Sequence, residues 1–258
     1  MTNAVLLSAG QGRRLAPLTD DRPKCLVNIS GRTILEWQLK ALAAAGVEHA
    51  TVVTGFGGAA IENALKVIAP AVDVQCLHNP FYSVADNIGS CWVARDLIGD
   101  DTVLINGDTL FDPRILRHVL ETADAPISVT MDSKGSYDSD DMKVSTEDGR
   151  LLRISKALTE DVTGESIGML RFQNGGGQRF TRHLSDKLRD PEALKLWYLS
   201  IIDELAALGN VGTVSIAGLP WAEIDFLRDI PIAEERVASF DWSGQAEALP
   251  SGKREGMT

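Results

Sequence analysis

The segment Ala4-Val5-Leu6-Leu7 leads into Ser8-Ala9-Gly10-Gln11-Gly12-Arg13-Arg14-Leu15-Ala16-Pro17-Leu18, and Pro23-Lys24 follows shortly after. Glycines that end a strand let backbone N–H groups turn inward and approach phosphate oxygens closely. The arginines and the lysine place positive charge where negative charge builds up in phosphoryl chemistry. This stretch therefore predicts a triphosphate-binding loop at the end of the first strand.

Two common glycine motifs do not fit this loop. A dinucleotide fingerprint needs a third small residue near position 15, but that residue is Leu15, and Pro17 would disturb a helix there. A Walker loop needs four residues between its glycines and then Gly-Lys-Ser/Thr, which is absent here. The remaining alternative is a plain glycine turn with scattered surface arginines.

Strand-like and helix-like segments alternate through the first half of the chain. The predicted strands are Ala4–Ser8, Ala50–Thr54, Val72–Leu77, Thr102–Ile105 and Ile127–Met131. The predicted helices are Thr33–Ala45, Gly58–Ile68, Asn87–Leu97 and Pro113–Ala123. This alternation predicts an α/β fold with a Rossmann-like, mostly parallel (mixed) sheet flanked by helices. In such a sheet, ligands bind at the carboxyl ends of the strands.

The pattern becomes richer in β structure after Ser133. We expect a hairpin turning at Asp148-Gly149, then a strand over Ser166–Phe172. Helices at Gly177–Leu188, Pro191–Leu208 and Phe226–Arg236 and a strand at Thr213–Ala217 complete the prediction. Residues 1–238 are predicted to form one domain with halves 1–132 and 133–238. The tail 239–258 is predicted to fray, with docking of Phe240 and Trp242 as the alternative.

Composition excludes several classes of protein. The 258 residues with 44% apolar content suffice for one α/β domain with a sizeable core. A net charge of −11 argues against a nucleic-acid surface but not against one nucleotide in a locally basic pocket. The three cysteines share no CxxC spacing, so neither a disulfide framework nor a thiolate zinc site is indicated.

The start of the chain enters a strand directly, and no apolar stretch reaches membrane-spanning length. We therefore expect a cytoplasmic protein with no signal peptide and no membrane partner. The sequence is compatible with a homodimer.

The opening signature resembles that of the nucleotidyltransferases that make activated sugars and alcohols. Three later segments extend the resemblance: Asn106-Gly107-Asp108, Gly164-Glu165-Ser166-Ile167-Gly168-Met169 and Trp221-Ala222-Glu223-Ile224-Asp225. The similarity is greatest to the phosphocholine and small-alcohol-phosphate cytidylyltransferases. It implies a nucleotide-diphospho-sugar transferase-like fold in which the first half binds a nucleoside triphosphate and the second a phosphorylated acceptor. Pyrophosphate is the expected leaving product.

A metal site is expected at the end of the strand that precedes Asp108. A carboxylate in this place is a typical Mg²⁺ ligand, whereas a turn or helix-cap role is the alternative. The resemblance implies Asp225 as the second ligand, and the alternating side chains of an extended segment would put Glu223 on the same face. A solvated acidic face is the alternative for that pair.

The resemblance also implies roles for the loop. Arg14, Lys24, Asp108 and Asp225 form the predicted catalytic set. Arg14 would stabilise pyrophosphate, and Lys24 would stabilise the α-phosphate or the acceptor phosphate. The triphosphate would be cradled by Ser8, Ala9, Gly10, Gln11, Gly12, Arg13 and Gly107.

Base recognition is predicted at Asp86, Asn87 and Ser90. An Asp-Asn pair followed by Ser resembles the CTP-using branch, whereas the glucose-phosphate thymidylyltransferases carry Gln in this region. CTP is therefore the favoured nucleotide. A simple helix cap is the alternative role for Asp86.

Acceptor recognition is predicted at Lys143, Lys156, Glu165, Trp221 and Glu223. Solvated strand lysines and a packed tryptophan are the alternatives. The phosphocholine enzymes carry Trp near the position of Met142, which suits cation–π binding of a quaternary ammonium. Its absence here leaves an alcohol or amine acceptor open. The competing functions are a sugar-1-phosphate uridylyl- or thymidylyltransferase and a non-catalytic nucleotide-sensing domain.

Overall fold

The computed structural model describes residues 2–243. Its strands are β1 (Asn3–Ser8), β2 (Asn28–Ile29), β3 (Arg32–Thr33), β4 (His49–Thr54), β5 (Asp73–His78), β6 (Thr102–Asn106), β7 (Thr109–Phe111), β8 (Ile127–Asp132), β9 (Lys143–Glu147), β10 (Arg150–Ile154), β11 (Gly164–Phe172), β12 (Val211–Ser215) and β13 (Trp221–Glu223). Its α-helices are α1 (Ile34–Ala44), α2 (Gly58–Ile68), α3 (Asn87–Val93), α4 (Pro113–Thr122), α5 (Gly176–Lys187), α6 (Leu199–Ala207) and α7 (Asp229–Ala238). No helix within residues 2–243 is long and apolar enough to cross a membrane.

Within these residues, a mixed sheet has the strand order β5-β4-β1-β6-β11-β8-β12-β10-β9. Strands β5, β4, β1 and β6 are mutually parallel. Strand β11 is antiparallel to both of its neighbours, β6 and β8, and β9 and β10 form the predicted hairpin. The predicted α/β class is therefore confirmed: a parallel, Rossmann-like half continues into a mixed, β-rich half.

Apolar side chains cover both faces of the parallel strands. On β1, Ala4 and Leu6 belong to an apolar cluster with residues of α1 and α4, whereas Val5 and Leu7 belong to one with residues of α3, α5 and α6. Continuous burial of this kind is expected for a parallel strand sandwiched between helices. The carboxyl end of β1 and the loop that follows lie at the edge of the sheet, between the helices that cover its two faces.

One predicted helix is interrupted. Instead of a continuous helix over Pro191–Leu208, a 3₁₀ helix covers Pro191–Lys195, and α6 begins only at Leu199. Between them Tyr198 donates its backbone N–H to Asn87 Oδ1 at 2.9 Å and its hydroxyl to Asn106 Oδ1 at 3.0 Å. The break lies at Leu196, whose backbone is extended with φ of −89° and ψ of 155°. Tyr198 itself has helical dihedral angles, and its contacts hold the start of α6 against distant residues.

Two further elements differ in position from the prediction. The last long strand lies at Val211–Ser215 rather than Thr213–Ala217, and Ala217 adopts a left-handed backbone with φ of 52°. Helix α7 starts at Asp229 rather than Phe226, because the Asp229 carboxylate accepts hydrogen bonds from the backbone N–H groups of Asp225 and Phe226. These bonds hold the chain around Asp225 outside the helix.

A small antiparallel ladder, absent from the prediction, joins β7 to β13. It pairs Glu223 with Thr109 and Trp221 with Phe111. The ladder brings the segment after β13 against the segment that follows β6, so that Ile224 N–H donates to Asp108 O at 3.2 Å. Two parts of the chain more than a hundred residues apart therefore meet at one edge of the sheet.

The first residues after α7 pack against the domain. Phe240 is buried, and the Trp242 ring stacks on Trp37 with centroids 5.6 Å apart. The Lys40 ammonium lies 4.1 Å from the Trp242 ring centroid. Residues 244–258 of the predicted tail lie outside the described residues.

Gly107→Ala is expected to lower the free energy of unfolding by about 1–3 kcal/mol, the usual cost of overpacking. A Cβ atom at this position would lie 2.5 Å from Leu7 O and 2.9 Å from Ser8 Cα, so backbone would have to move. Urea denaturation measures the change. Gly99→Ala is the matched control, since a Cβ there meets nothing within 4 Å. Equal stabilities of the two variants would contradict the close packing of β6 against β1.

Candidate active site

A cleft of about 310 Å³ opens at the carboxyl ends of β1 and β6. Its volume lies at the lower end of the range usual for small-ligand sites. Of the residues predicted from the sequence, it is lined by Ser8, Ala9, Gly10, Gly12, Arg14, Lys24, Asp86, Asn87, Ser90, Gly107, Asp108, Lys156, Glu223 and Asp225. The fold thus brings the predicted loop, carboxylates and base-recognition segment into one crevice.

The glycine loop is shaped around Lys24. Gly12 has φ of 74°, a left-handed conformation that glycine adopts without strain. A Cβ atom on Gly12 would lie 2.8 Å from Lys24 Cβ, so a side chain there would displace the lysine. The Thr19 hydroxyl donates to Gly12 O at 2.8 Å and closes the loop. Gly12 therefore allows both the turn and the close passage of the Lys24 stem.

Three carboxylates converge on the floor of the cleft. One ligand atom each of Asp108, Glu223 and Asp225 lies within 4.8 Å of the others. Asp108 follows β6 directly, and the β7–β13 ladder delivers the other two. The alternation of side chains on an extended segment explains why Glu223 and Asp225 face the same way.

Two cations neutralise part of this negative charge. Lys24 Nζ lies 2.6 Å from Asp108 Oδ2 and 2.7 Å from Asp225 Oδ1, and Arg14 Nη2 lies 2.8 Å from Asp225 Oδ1. Burial alone would lower the pKa of the Lys24 ammonium, but the two carboxylates outweigh it and raise that pKa. Burial likewise opposes ionisation of Asp225, yet Lys24 and Arg14 hold its pKa below the ordinary value.

Glu223 has no such partner among residues 2–243. Its side chain is open to the water of the cleft on one side and enclosed by protein on the others. This enclosure, followed by the negative charges of Asp108 and Asp225, raises the pKa of the Glu223 carboxyl to about 8. Ionisation of all three carboxylates together therefore needs a further positive charge in the cleft.

The donor set fits a hard divalent cation. Asp108 Oδ1 is buried and accepts no hydrogen bond from any described residue. A buried carboxylate oxygen without a donor is costly unless a cation binds it. Carboxylate oxygens are the ligands that Mg²⁺ prefers. Asp108, Glu223 and Asp225 can thus hold a metal ion.

The amino end of α3 forms another wall. The Asp86 carboxylate accepts from the Asn87 N–H at 2.7 Å, so this residue caps the helix and also faces the cleft. Ser90 Oγ accepts from Asn79 Nδ2 at 3.0 Å. The polar groups of Asp86, Asn87 and Ser90 are therefore held in place by the backbone or by neighbouring residues.

The lining of the cleft also includes residues that the sequence did not single out. Trp197 lines the cleft, and the Lys156 ammonium lies 4.5 Å from its ring centroid. Asn106, Asp140, Met142 and Ser166 also line it. Asn106 belongs to the same family-like segment as Asp108, so the sequence could have indicated it as a site residue. Trp197 and Asp140 lie in irregular segments whose position only the tertiary structure defines.

Several predicted residues do not line this cleft. Gln11 and Arg13 lie on another side of the loop, bonded to each other at 3.2 Å. Lys143 Nζ donates to Asp138 O at 2.6 Å, and Trp221 Nε1 donates to Asp132 Oδ2 at 2.9 Å. Their predicted roles find no support in this arrangement.

Glu165 also lies outside the cleft lining. It pairs with Lys134 at 2.9 Å, and Lys134 in turn reaches Asp141 at 2.8 Å. Ser166 lines the cleft and Glu165 does not, because neighbouring side chains on a strand point to opposite faces. The predicted contact of Glu165 with the acceptor has no counterpart in this geometry.

Comparisons with known proteins give relatives and structural neighbours of this chain. The chain is 26% identical over 237 residues to the 2-aminoethylphosphonate cytidylyltransferase of Lancefieldella rimae, covering 89% of this chain and 90% of that protein. The fold matches the CTP:phosphocholine cytidylyltransferase LicC of Streptococcus pneumoniae with a TM-score of 0.75 at 18% identity, covering 92% and 100% of the two chains.

A third match is a crystal structure of a glucose-1-phosphate thymidylyltransferase, described as putative by its authors, from Bacillus anthracis. It has a TM-score of 0.77 at 16% identity and covers 93% of this chain and 97% of that one. The sequence model of the MobA-like NTP transferase domain matches residues 4–211. With the glycine loop, its cations and the strand-end aspartate all inside that span, the chain belongs to the MobA-like NTP transferase family.

Proposed function

We propose that the protein transfers CMP from CTP to a small phosphorylated alcohol or a phosphonate and releases pyrophosphate. One observation carries the proposal: a glycine loop, two cations and three carboxylates share one cleft. Nucleotidyl transfer needs this combination, since it consists mainly of positioning and of charge stabilisation. The Lancefieldella relative, named for CTP chemistry on a phosphonate, supports the choice of nucleotide and acceptor.

An oxygen of the acceptor phosphate or phosphonate attacks the α-phosphorus in line. A new P–O bond forms, the bond to the β-phosphate bridging oxygen breaks, and pyrophosphate leaves with its electron pair. The acceptor oxygen is already anionic at neutral pH, so no side chain needs to remove a proton. Arg14 and Lys24 stabilise the charge on the phosphates, and the amides of Ala9–Gly12 hold the triphosphate.

Asp108, Glu223 and Asp225 would hold the Mg²⁺ ion. A bound Mg²⁺ supplies charge neutralisation at phosphate oxygens. The chain itself positions the carboxylates: Asp108 at the end of β6, and the other two beside it through the β7–β13 ladder.

The base would lie against the amino end of α3. Asp86, Asn87 and Ser90 present both acceptors and donors there, as a cytosine edge requires. A sugar-1-phosphate uridylyl- or thymidylyltransferase is the main alternative, since the Bacillus anthracis structure shares the fold. Fold alone does not decide the nucleotide. A binding-only module is less well supported, because it needs no metal-binding carboxylates.

Lys156 and Asp140 would contact the acceptor. Lys156 supplies positive charge to the cleft and lowers the pKa of Asp225 through space. The Asp140 carboxylate lines the cleft and accepts no hydrogen bond from residues 2–243, whereas Asp138 and Asp141 are engaged within their own loop. The Trp197 ring is already covered by Lys156. This arrangement suits a primary amine better than a quaternary ammonium, which needs aromatic faces.

The proposal is tested by pyrophosphate release with Mg²⁺ from CTP, UTP, dTTP, ATP and GTP. Each nucleotide is crossed with aminoethylphosphonate, phosphocholine, inositol phosphate and glucose-1-phosphate. We expect turnover with CTP and one class of small acceptor. Turnover confined to UTP or dTTP with glucose-1-phosphate would assign the sugar-nucleotide function instead. Nucleotide binding in calorimetry without any turnover would indicate a sensing domain.

Asp108→Ala is expected to lower kcat by about 10³-fold or more, because metal-assisted charge stabilisation is worth several kcal/mol. Steady-state pyrophosphate release measures the loss, and thermal unfolding confirms that the variant is folded. Asp124→Ala, at an exposed position outside the cleft, is the matched control. A folded Asp108→Ala enzyme that keeps a tenth of the activity would remove Asp108 from the metal site.

Asp140→Asn is expected to lower kcat/KM for aminoethylphosphonate by about 10- to 100-fold, the value of one charge-assisted hydrogen bond. For 2-hydroxyethylphosphonate, in which a hydroxyl replaces the amine, the change should stay below about threefold, since no charge is lost. Glu160→Gln, an exposed acid in the same half of the chain, is the control. Equal losses with both acceptors would show that Asp140 does not recognise the amine.

A further inference from the structure

Lys24 occupies an unusual position for a residue expected to bind phosphate. Its ammonium lies between the two metal-ligand candidates, 2.6 Å from Asp108 Oδ2 and 2.7 Å from Asp225 Oδ1. The side chains of the three residues are only 13%, 21% and 14% exposed. The interaction is therefore shielded from bulk water, and the ammonium stabilises two carboxylates that would otherwise repel each other.

A divalent cation and this ammonium compete for the same carboxylate oxygens. Carboxylate oxygens that hold an ammonium at hydrogen-bond distance have less negative charge to offer a metal ion. Two cations a few ångströms apart in a partly buried site also repel each other strongly. Asp108 Oδ1 accepts no hydrogen bond from the described residues, but Lys24 bridges Asp108 Oδ2 and Asp225 Oδ1.

We propose that Lys24 is an exchangeable counter-ion of the Asp108–Asp225 pair, which it releases when a divalent cation and a triphosphate enter the cleft. The inference rests on the proposed function for the identity of the incoming phosphates. The lysine stem already lies against the glycine loop, since a Cβ on Gly12 would meet it at 2.8 Å. Rotation of the flexible stem can therefore carry the ammonium from the carboxylates to phosphates on that loop.

This exchange gives Lys24 two roles in sequence. Before nucleotide binds, it keeps the carboxylates together and weakens binding of free metal ions. Once the triphosphate is present, the ammonium has a new anionic partner, and the carboxylates become available to the metal. Metal and triphosphate both favour the state in which the Lys24 ammonium has left the carboxylates. By thermodynamic linkage, each should therefore strengthen the binding of the other.

The direct test is Mn²⁺ affinity without nucleotide or acceptor, measured by electron paramagnetic resonance of free Mn²⁺. Lys24→Met should bind Mn²⁺ about tenfold or more tightly than the wild type, the effect of one charge at hydrogen-bond distance from a carboxylate. Lys66→Met removes the same charge from the exposed face of α2 and should match the wild type. Unchanged or weaker Mn²⁺ binding by Lys24→Met would overturn the proposal.

Thermal unfolding provides a second readout. Without metal, Lys24→Met should unfold at a lower temperature than the wild type, because two carboxylates lose their counter-ion. Mn²⁺ should raise its Tm more than that of the wild type. If Lys24→Met does not fold, Lys24→Gln, which keeps a hydrogen-bond donor without the charge, takes its place in both measurements. A Tm rise with Mn²⁺ no larger than that of the wild type would contradict the exchange.

These measurements separate this proposal from the proposed function. Wild-type turnover of CTP together with unchanged Mn²⁺ affinity of Lys24→Met would overturn the exchange alone. The opposite pair of results is tighter Mn²⁺ binding by Lys24→Met and no turnover of any nucleotide by the wild type with any acceptor. That pair would support the exchange and overturn the proposed function.

Discussion

Three carboxylates held close together beside an anion-binding loop set the main constraint on this protein. Asp108, Glu223 and Asp225 repel one another, and the chain as a whole carries a net charge of −11. Lys24 and Arg14 provide the local compensation. Lys24 contacts Asp108, which is 84 positions further along the chain, and Asp225, which is 201 positions further along. These two contacts connect the beginning and the end of the domain at the cleft.

The sheet explains how these charges meet. Strands β1 and β6 are direct neighbours, and their carboxyl ends present the glycine loop and Asp108 side by side. The β7–β13 ladder then places Glu223 and Asp225 beside Asp108. One buried oxygen of Asp108 accepts no hydrogen bond from residues 2–243, and this suits a site that takes up a divalent cation together with its phosphates.

The sequence predicts the nucleotide side of the site better than the acceptor side. The glycine loop and Asp108 follow strands with strong local signals, so their meeting follows from the parallel sheet alone. Glu165 illustrates the opposite case: the direction of its side chain depends on the pairing of β11 with β8, which shifts register between Ser166 and Leu170. Between these residues β11 advances four positions while β8 advances two, and this bulge interrupts the regular alternation of side chains along the strand. Trp197 lies in the break between the 3₁₀ helix and α6, which no local pattern indicates.

The proposed transfer can be followed at the reacting atoms by ³¹P NMR. Aminoethylphosphonate labelled with ¹⁸O is incubated with CTP, Mg²⁺ and the enzyme. Attack by the acceptor oxygen predicts a nucleotide product in which the α-phosphorus signal carries the ¹⁸O isotope shift of a labelled bridging oxygen, with one pyrophosphate released per product. Free CMP without that shift would mean that water is the nucleophile, and would contradict the proposed mechanism.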